Sequence, residues 1–338
     1  MINSAPWTPL HAHLHHILKV RQLLPMQQRI LIALSGGQDS FCLLQLLVDL
    51  QPKWGWQLAI AHGDHRWPLD SDANAHHVTQ IARQYQLPYF LRQATTELRS
   101  EAAGRQWRYQ ILTEIAQQEA YPLVVSAHTA SDRAETLLYN LIRGSGTDGL
   151  QALSWQRPLS DRVMLVRPLL EVTRAQTGEF CQHRNLPIWQ DAMNQNLVYR
   201  RNRIRLEVLP HLKTHFNPQV ETTLAHTAEI LQGDVDFLET ETQKLLAISL
   251  PSSPPVLSET EQYWGYIDRD TLQSAPLALQ RRALRHFLQQ AIDMTANFQQ
   301  IEKVMALVKA PNHSRTDPLK KQWVAEVIQP WIVIRSLS

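Results

Sequence analysis

Ile30-Leu31-Ile32-Ala33-Leu34-Ser35-Gly36-Gly37-Gln38-Asp39-Ser40 is an apolar run that ends in two adjacent glycines and passes into a stretch of helix formers. Five apolar residues without alternation read as a strand buried on both faces. Leu43, Leu44, Leu47 and Leu50 then recur at helical spacing. A strand entering a glycine-rich turn and then a helix is built to hold phosphate. Gly36 and Gly37 let the backbone come close, and the helix start offers unpaired N–H groups with a partial positive charge. Ser35 and Ser40 add hydroxyl donors, and Gln38 completes the loop. The lysine that precedes the final Ser/Thr of a Walker A loop is missing, and Asp39 stands there instead. A carboxylate beside polyphosphate is repulsive unless a cation bridges them, so Mg²⁺ is implied, with Asp39 as its ligand.

The same alternation continues outward. Gln57 to Ala61, Pro88 to Leu91 and Leu123 to Ala127 read as further strands, and Ala73 to Tyr85, Glu101 to Glu119 and Asp132 to Arg143 as helices. Gly144-Ser145-Gly146 stops the last of these. The unusual polar residues, His62 to Arg66 and His128 among them, follow the carboxyl ends of strands, where open α/β sheets place their ligands. The expectation is an α/β fold, a Rossmann-like parallel sheet flanked by helices over residues 1–216. Beyond Asn217, Val220, Leu224, Ala228, Leu231, Val235 and Leu238 form one helical stripe. Residues 217–338 therefore read as a smaller, mainly helical domain, with a linker at Pro251-Ser252-Ser253-Pro254-Pro255 and a terminal strand at Trp331 to Ile334.

Composition excludes several classes. With 338 residues, 44% hydrophobic and 19% charged, the chain has ordinary globular proportions. No run approaches the roughly 18 apolar residues of a membrane span, and no secretory signal is visible. Two distant cysteines, Cys42 and Cys181, argue against a disulfide framework and fit a reducing cytoplasm. A net charge of +2 hides a local cluster, Arg200, Arg201, Arg203 and Arg205, that suits nucleic-acid phosphates if it is not a solvated face. His11, His13, His15 and His16 lack a carboxylate partner and read as a polar helix face rather than a metal site.

Three further segments narrow the chemistry. Glu101-Ala-Ala-Gly-Arg105-Gln-Trp-Arg108-Tyr109 is one. His128-Thr-Ala-Ser-Asp132-Arg-Ala-Glu135-Thr136, continuing to Arg143-Gly144-Ser145-Gly146, is the second. Arg167-Pro168-Leu169-Leu170, then Asp191, Asn194 and Arg201-Asn202-Arg203-Ile204-Arg205, is the third. Together with the loop they resemble the tRNA(Ile)-lysidine synthetases, a branch of the PP-loop ATP pyrophosphatases. Met193 and the His62–Arg66 segment depart from that family's pattern.

The resemblance implies a cytoplasmic ligase that forms a carbon–nitrogen bond. ATP adenylates the C2 oxygen of the wobble cytidine in the CAU anticodon of tRNA(Ile), releasing pyrophosphate; L-lysine then attacks C2 and expels AMP. Asp132 and Glu135, spaced i, i+3, share a helix face and can receive lysine's ammonium groups. His128 is the best-placed base, and Arg108, ahead of Arg105, the candidate to neutralise the α-phosphate. Arg143 is a secondary candidate. Asp132 could instead serve a capping box with Thr129, and the two α-phosphate candidates could be a solvated face. A tRNA thiolase and a non-catalytic ATP-binding module are the alternatives, and a homodimer stays open.

Overall fold

Strand β1 (Arg29–Ala33) is buried on both sides, and its side chains alternate between two cores. Ile30 and Ile32 join Leu14, Leu43, Leu47 and Val125; Leu31 joins Leu112, Ile115, Val124 and Leu165. That double burial is why the run carries no polar alternation. The computed structural model describes residues 7–66, 71–96, 100–189, 196–251, 262–320 and 322–337. Helix α1 (Pro9–Val20) precedes β1. After it come α2 (Gln38–Trp54), β2 (Gln57–Asp64), α3 (Ser71–Gln84), β3 (Tyr89–Gln93), α4 (Glu101–Gln118), β4 (Leu123–Val125) and α5 (Ala130–Ile142). Then follow α6 (Thr147–Leu150), β5 (Gln156–Ser160), β6 (Val163–Val166) and α7 (Arg174–His183).

The sheet order is β3-β2-β1-β4-β6-β5. β1 pairs in parallel with β2 and β4, placing Ile30 opposite both Leu58 and Leu123, and β6 pairs in parallel with β4. β5 runs antiparallel to β6 at the edge. The chain thus steps from β1 outward to β3 and returns to β4 on the other side. The crevice between the carboxyl ends of β1 and β4 is the switch point at which such sheets bind ligands. Its two flanking loops are Ser35–Ser40 and the turn at His128.

Several local expectations change. β2 continues through His62-Gly63-Asp64, so these residues belong to a strand, not to the loop after it. His11 is buried rather than on a polar face: its Nε2 lies 2.9 Å from Asp49, and His15 accepts from the Trp54 indole at 3.1 Å. Cys42 and Cys181, remote in sequence, meet in the core, where the neighbouring thiol and burial push Cys42 far up and leave it uncharged. The linker at 252–255, Asp191 and Asn194 lie outside the described residues.

Past α7 come a short helix α8 (Arg200–Arg203), a π-helical turn (Ile204–Val208), α9 (Leu209–His215) and the long α10 (Val220–Ser249). The chain divides into compact units Met1–Gln232 and Gly233–Ser338, so the division falls within α10. In the first unit, Glu229 of α10 binds the buried Arg133 at 2.6 Å, Arg21 at 2.8 Å and the Trp155 indole at 2.8 Å. The second unit contains α11 (Arg269–Ser274), α12 (Leu277–Ile292), α13 (Phe298–Met305) and an antiparallel sheet ordered β7-β9-β8. β7 is Tyr263–Asp268, β8 Trp323–Ile328 and β9 Trp331–Ser336. The expected terminal strand is β9; its two partners are additional. Leu284, Phe287 and Leu288 of α12 pack on Ile267, Val327 and Ile332 of that sheet.

At Gly63 α4 packs tightly on the sheet: a Cβ there would lie 2.6 Å from Ile111 Cδ1 and 3.1 Å from Trp107. Gly63→Ala should therefore cost about 1–3 kcal/mol of stability through overpacking. Urea denaturation measures this, and an unshifted midpoint would mean that α4 moves away freely.

Candidate active site at the carboxyl end of the sheet

Gly36 takes φ +91°, the left-handed region that favours glycine, and a Cβ on it would press against the Asn74 amide. Asn74 Nδ2 donates to the Ser35 carbonyl at 3.0 Å, and the Trp189 N–H to that of Gly36 at 2.9 Å. Ser40 Oγ donates to the Gly37 carbonyl at 2.8 Å, closing the turn. Gly37 caps α2 with no side-chain hydrogen bond, so the first-turn N–H groups face outward as an anion site. The Gln38 side chain points elsewhere, donating to the Arg174 carbonyl at 2.7 Å and to Thr177 Oγ1 at 2.9 Å. It braces the loop on α7 and leaves only its backbone for phosphate.

Asp39 faces two groups from α7. Arg174 donates to its Oδ2 through Nε at 3.1 Å and Nη2 at 3.0 Å, and the Thr177 hydroxyl donates to Oδ1. The same Nη2 lies 3.5 Å from Asp132 Oδ1. Asp132 divides its labour: Oδ2 accepts from the Thr129 N–H and hydroxyl, each at 2.8 Å, while Oδ1 turns toward the arginines. The capping box and the carboxylate that faces the arginines are therefore one residue. Arg205 completes the cluster, gripping Glu135 with two bonds at 2.6 and 2.8 Å and reaching Asp132 at 3.4 Å.

Burial pushes the Asp39 carboxyl up, against the pull of Arg174. Burial acts on Asp132 in the same direction, but Arg174, His128, the Thr129 N–H and Arg205 hold it below the usual carboxylate range. Burial also raises Glu135 despite Arg205. His128 shares a 2.9 Å hydrogen bond with Ser126 and has its pKa pushed down to about 3. Burial dominates there, and Arg167, Arg105 and Arg108 add to it against the opposing pull of Asp132. At neutral pH the imidazole is uncharged.

Five residues singled out in the sequence, Asp39, His128, Asp132, Glu135 and Arg205, thus meet at one end of the sheet. Arg205 is turned inward to the carboxylates. Of its neighbours, Arg200 and Arg203 are exposed, Arg203 3.7 Å from Glu207, and Arg201 lies 5.5 Å over the Tyr139 ring. Arg143 ends α5 eleven residues beyond Asp132, roughly 16 Å along the helix, and donates to Tyr139 at 3.2 Å. The structure does not bring it to the loop. Arg174 and Thr177 join this cluster through Asp39, and the sequence reading does not include them. Thr173-Arg-Ala-Gln176 does signal a helix start, and the structure forms that capping box. Among the described residues, no group of three or more His, Cys, Asp and Glu is arranged to hold a metal ion by itself.

The His128 ring resonance should stay flat in an NMR titration between pH 5 and 8, because its pKa lies near 3. Arg105→Gln should move its titration upward, since a cation that disfavours the imidazolium is removed. A wild-type midpoint near 6.5 would contradict the burial described.

Comparison with known proteins identifies the family. Residues 9–212 match the PP-loop domain family. The chain is 52% identical to a Nostoc protein named tRNA(Ile)-lysidine synthase, over 98% of both chains. It is 49% identical to a Synechocystis protein of the same name, over 95% of this chain and 96% of that one. Among solved structures, a U34-tRNA thiolase from Methanococcus maripaludis superposes with a TM-score of 0.55 at 14% identity, covering 66% of this chain and 78% of that one, a likeness of fold. A phosphate-binding turn after β1, facing paired carboxylates and a neutral histidine after β4, accompanies that sequence identity, and the chain belongs to the tRNA(Ile)-lysidine synthase family of PP-loop proteins.

Proposed function

We propose that this chain uses ATP to join L-lysine to C2 of the wobble cytidine in the CAU anticodon of tRNA(Ile), through an adenylated RNA, releasing pyrophosphate and then AMP. The observation that carries this reading is the union of Asp39, Asp132 and Glu135 through Arg174 and Arg205 beside the phosphate turn. It sets a nucleotide site and a site for an ammonium group side by side.

The uncapped start of α2 receives the nucleotide phosphates, and Arg108 on the exposed side of α4 supplies positive charge toward the α-phosphate. The cytosine oxygen attacks that phosphorus and pyrophosphate leaves. Mg²⁺ would be held by Asp39, the carboxylate at the turn, once it takes the place of the Arg174 and Thr177 donors; this ion needs only one or two carboxylates and completes its shell with phosphate oxygens and water. When bound it would offset charge on the leaving pyrophosphate.

Lysine's ammonium groups would be received by Asp132 and Glu135, in the place that the Arg205 guanidinium holds in this structure. The attacking amine must lose a proton. Its pKa is about 10.4, and an imidazole near 3 falls short by on the order of 10 kcal/mol. His128 therefore serves as base only once bound anions offset Arg105, Arg108 and Arg167, which lifts its pKa back toward the ordinary range. No observation favours the thiolase reading: both cysteines are buried, and the Cys181 thiol is spent on the Gln38 carbonyl at 3.4 Å.

The direct test is incubation with ATP, labelled lysine and CAU-anticodon tRNA transcripts, with label counted in RNA; no incorporation refutes the reading. Asp39→Ala should abolish pyrophosphate release, and normal turnover would remove Asp39 from the machinery. Asp132→Asn and Glu135→Gln should raise KM for lysine about tenfold or more with ATP affinity near wild type. Collapse of ATP binding instead would make those carboxylates structural.

A further inference from the structure

Three guanidiniums converge on Tyr109 with no carboxylate partner among the described residues, and two of them, Arg105 and Arg167, also act on His128. Arg105 of α4 and Arg157 of β5 lie against the Tyr109 ring, with Cζ 5.6 and 4.3 Å from its centroid. Arg167, the residue after β6, sits beside the Tyr109 hydroxyl. It is 1% exposed, donates from Nη1 to the Ser154 carbonyl at 2.6 Å, and leaves its buried Nε–H with no acceptor. Burial would raise the Tyr109 phenol, but Arg105, Arg167 and Arg157 hold it down to about 8. Near pH 7 most of it stays protonated, so it does not cancel the three charges.

An unneutralised buried guanidinium and an unsatisfied buried donor are both costly. A phosphate answers both at once, since its oxygens accept several charge-assisted bonds from arginine forks. We propose that Arg105, Arg157 and Arg167 form a second phosphate site, separate from the Ser35–Ser40 turn, that takes a backbone phosphodiester of the RNA next to the base being modified. This rests on the reading above that RNA is the acceptor.

Position favours RNA over the nucleotide. The phosphate turn follows β1, His128 follows β4 and Arg167 follows β6, in the order in which these strands lie side by side. Two strand spacings, about 10 Å, therefore separate the two phosphate sites, with His128 between them. ATP at one and an RNA phosphate at the other would bracket the reacting base. Occupation of the cradle also offsets two of the cations that depress His128, so the base would gain strength when RNA is seated.

Arg157→Gln in the full chain tests the proposal, with CAU-anticodon transcript and ATP as the probes. KM for RNA should rise about tenfold, and the slope of log affinity against log salt should flatten by roughly one. KM for ATP and the melting temperature should stay near wild type, and Arg157→Lys should recover much of the RNA affinity. Arg105→Gln gives the same rise in KM for RNA from another element if the first variant folds poorly. A rise in KM for ATP that exceeds the rise for RNA would assign the cradle to nucleotide phosphates and overturn the proposal. Unchanged values for both would overturn it equally. Wild-type protein run alongside separates the two claims: failure to incorporate lysine defeats the lysidine reading, whereas RNA affinity of the variant against wild type still decides the cradle.

Discussion

The Arg174 guanidinium is the contact on which the site depends. Its Nη2 lies 3.0 Å from Asp39 and 3.5 Å from Asp132, so the two carboxylate oxygens are at most about 6.5 Å apart. Two like charges at that separation repel by about 2.5 kcal/mol at an effective dielectric near 20. Nothing else described lies within salt-bridge distance of both. The guanidinium is itself delivered by a helix whose start is fixed locally, by the Thr173–Gln176 capping box, and whose N-terminal amide donates to Ser131 at 3.0 Å. Elements after β1, β4 and β6 are thereby tied at one point, and the sheet's switch point becomes a site.

Much of this was legible in the sequence, for physical reasons that differ from residue to residue. The Ser35–Ser40 turn could be read because its constraint is local: backbone geometry demands glycine, and the flanking periodicities change from strand to helix. Asp132 and Glu135 could be placed on one face because helical spacing fixes it. Arg174 could not, since its partner Asp39 lies 135 positions away and no periodicity encodes that pairing. Arg205 was read as one of four clustered arginines, but the turn of the chain at Ile204 sends it alone toward Glu135. β5 and β6 escaped because they are short, and Arg157, Pro158, Asp161 and Arg162 break their apolar character. His11 illustrates the opposite error: four histidines look polar, yet one of them is sealed in the core by Asp49.

The electrostatics of the two sides of the crevice are opposite and complementary. On one side carboxylates outnumber what burial tolerates and arginines are drawn in to hold them. On the other, arginines gather around Tyr109 and His128 and keep the imidazole neutral. Protein alone leaves each side incompletely compensated, and the three substrates of the proposed reaction carry the missing charges: polyanionic nucleotide and RNA for the basic side, the ammonium groups of lysine for the acidic one. Catalytic competence in such a site is a property of the loaded complex rather than of any single residue.

The burial of β1 on both faces has a consequence for the nucleotide turn that it carries. Ile30, Leu31 and Ile32 are each fully enclosed, so this strand belongs to the part of the molecule that opens last in local unfolding. The turn inherits that rigidity, and Asn74 of α3 and Trp189 in the chain after α7 fasten it. Little backbone freedom is left to lose when phosphate binds, so the N–H groups at the start of α2 are already aimed before ATP arrives. In such a molecule, exchange between open and closed forms would reside in the side chains around the crevice, and the phosphate cradle would be the fixed reference against which they move.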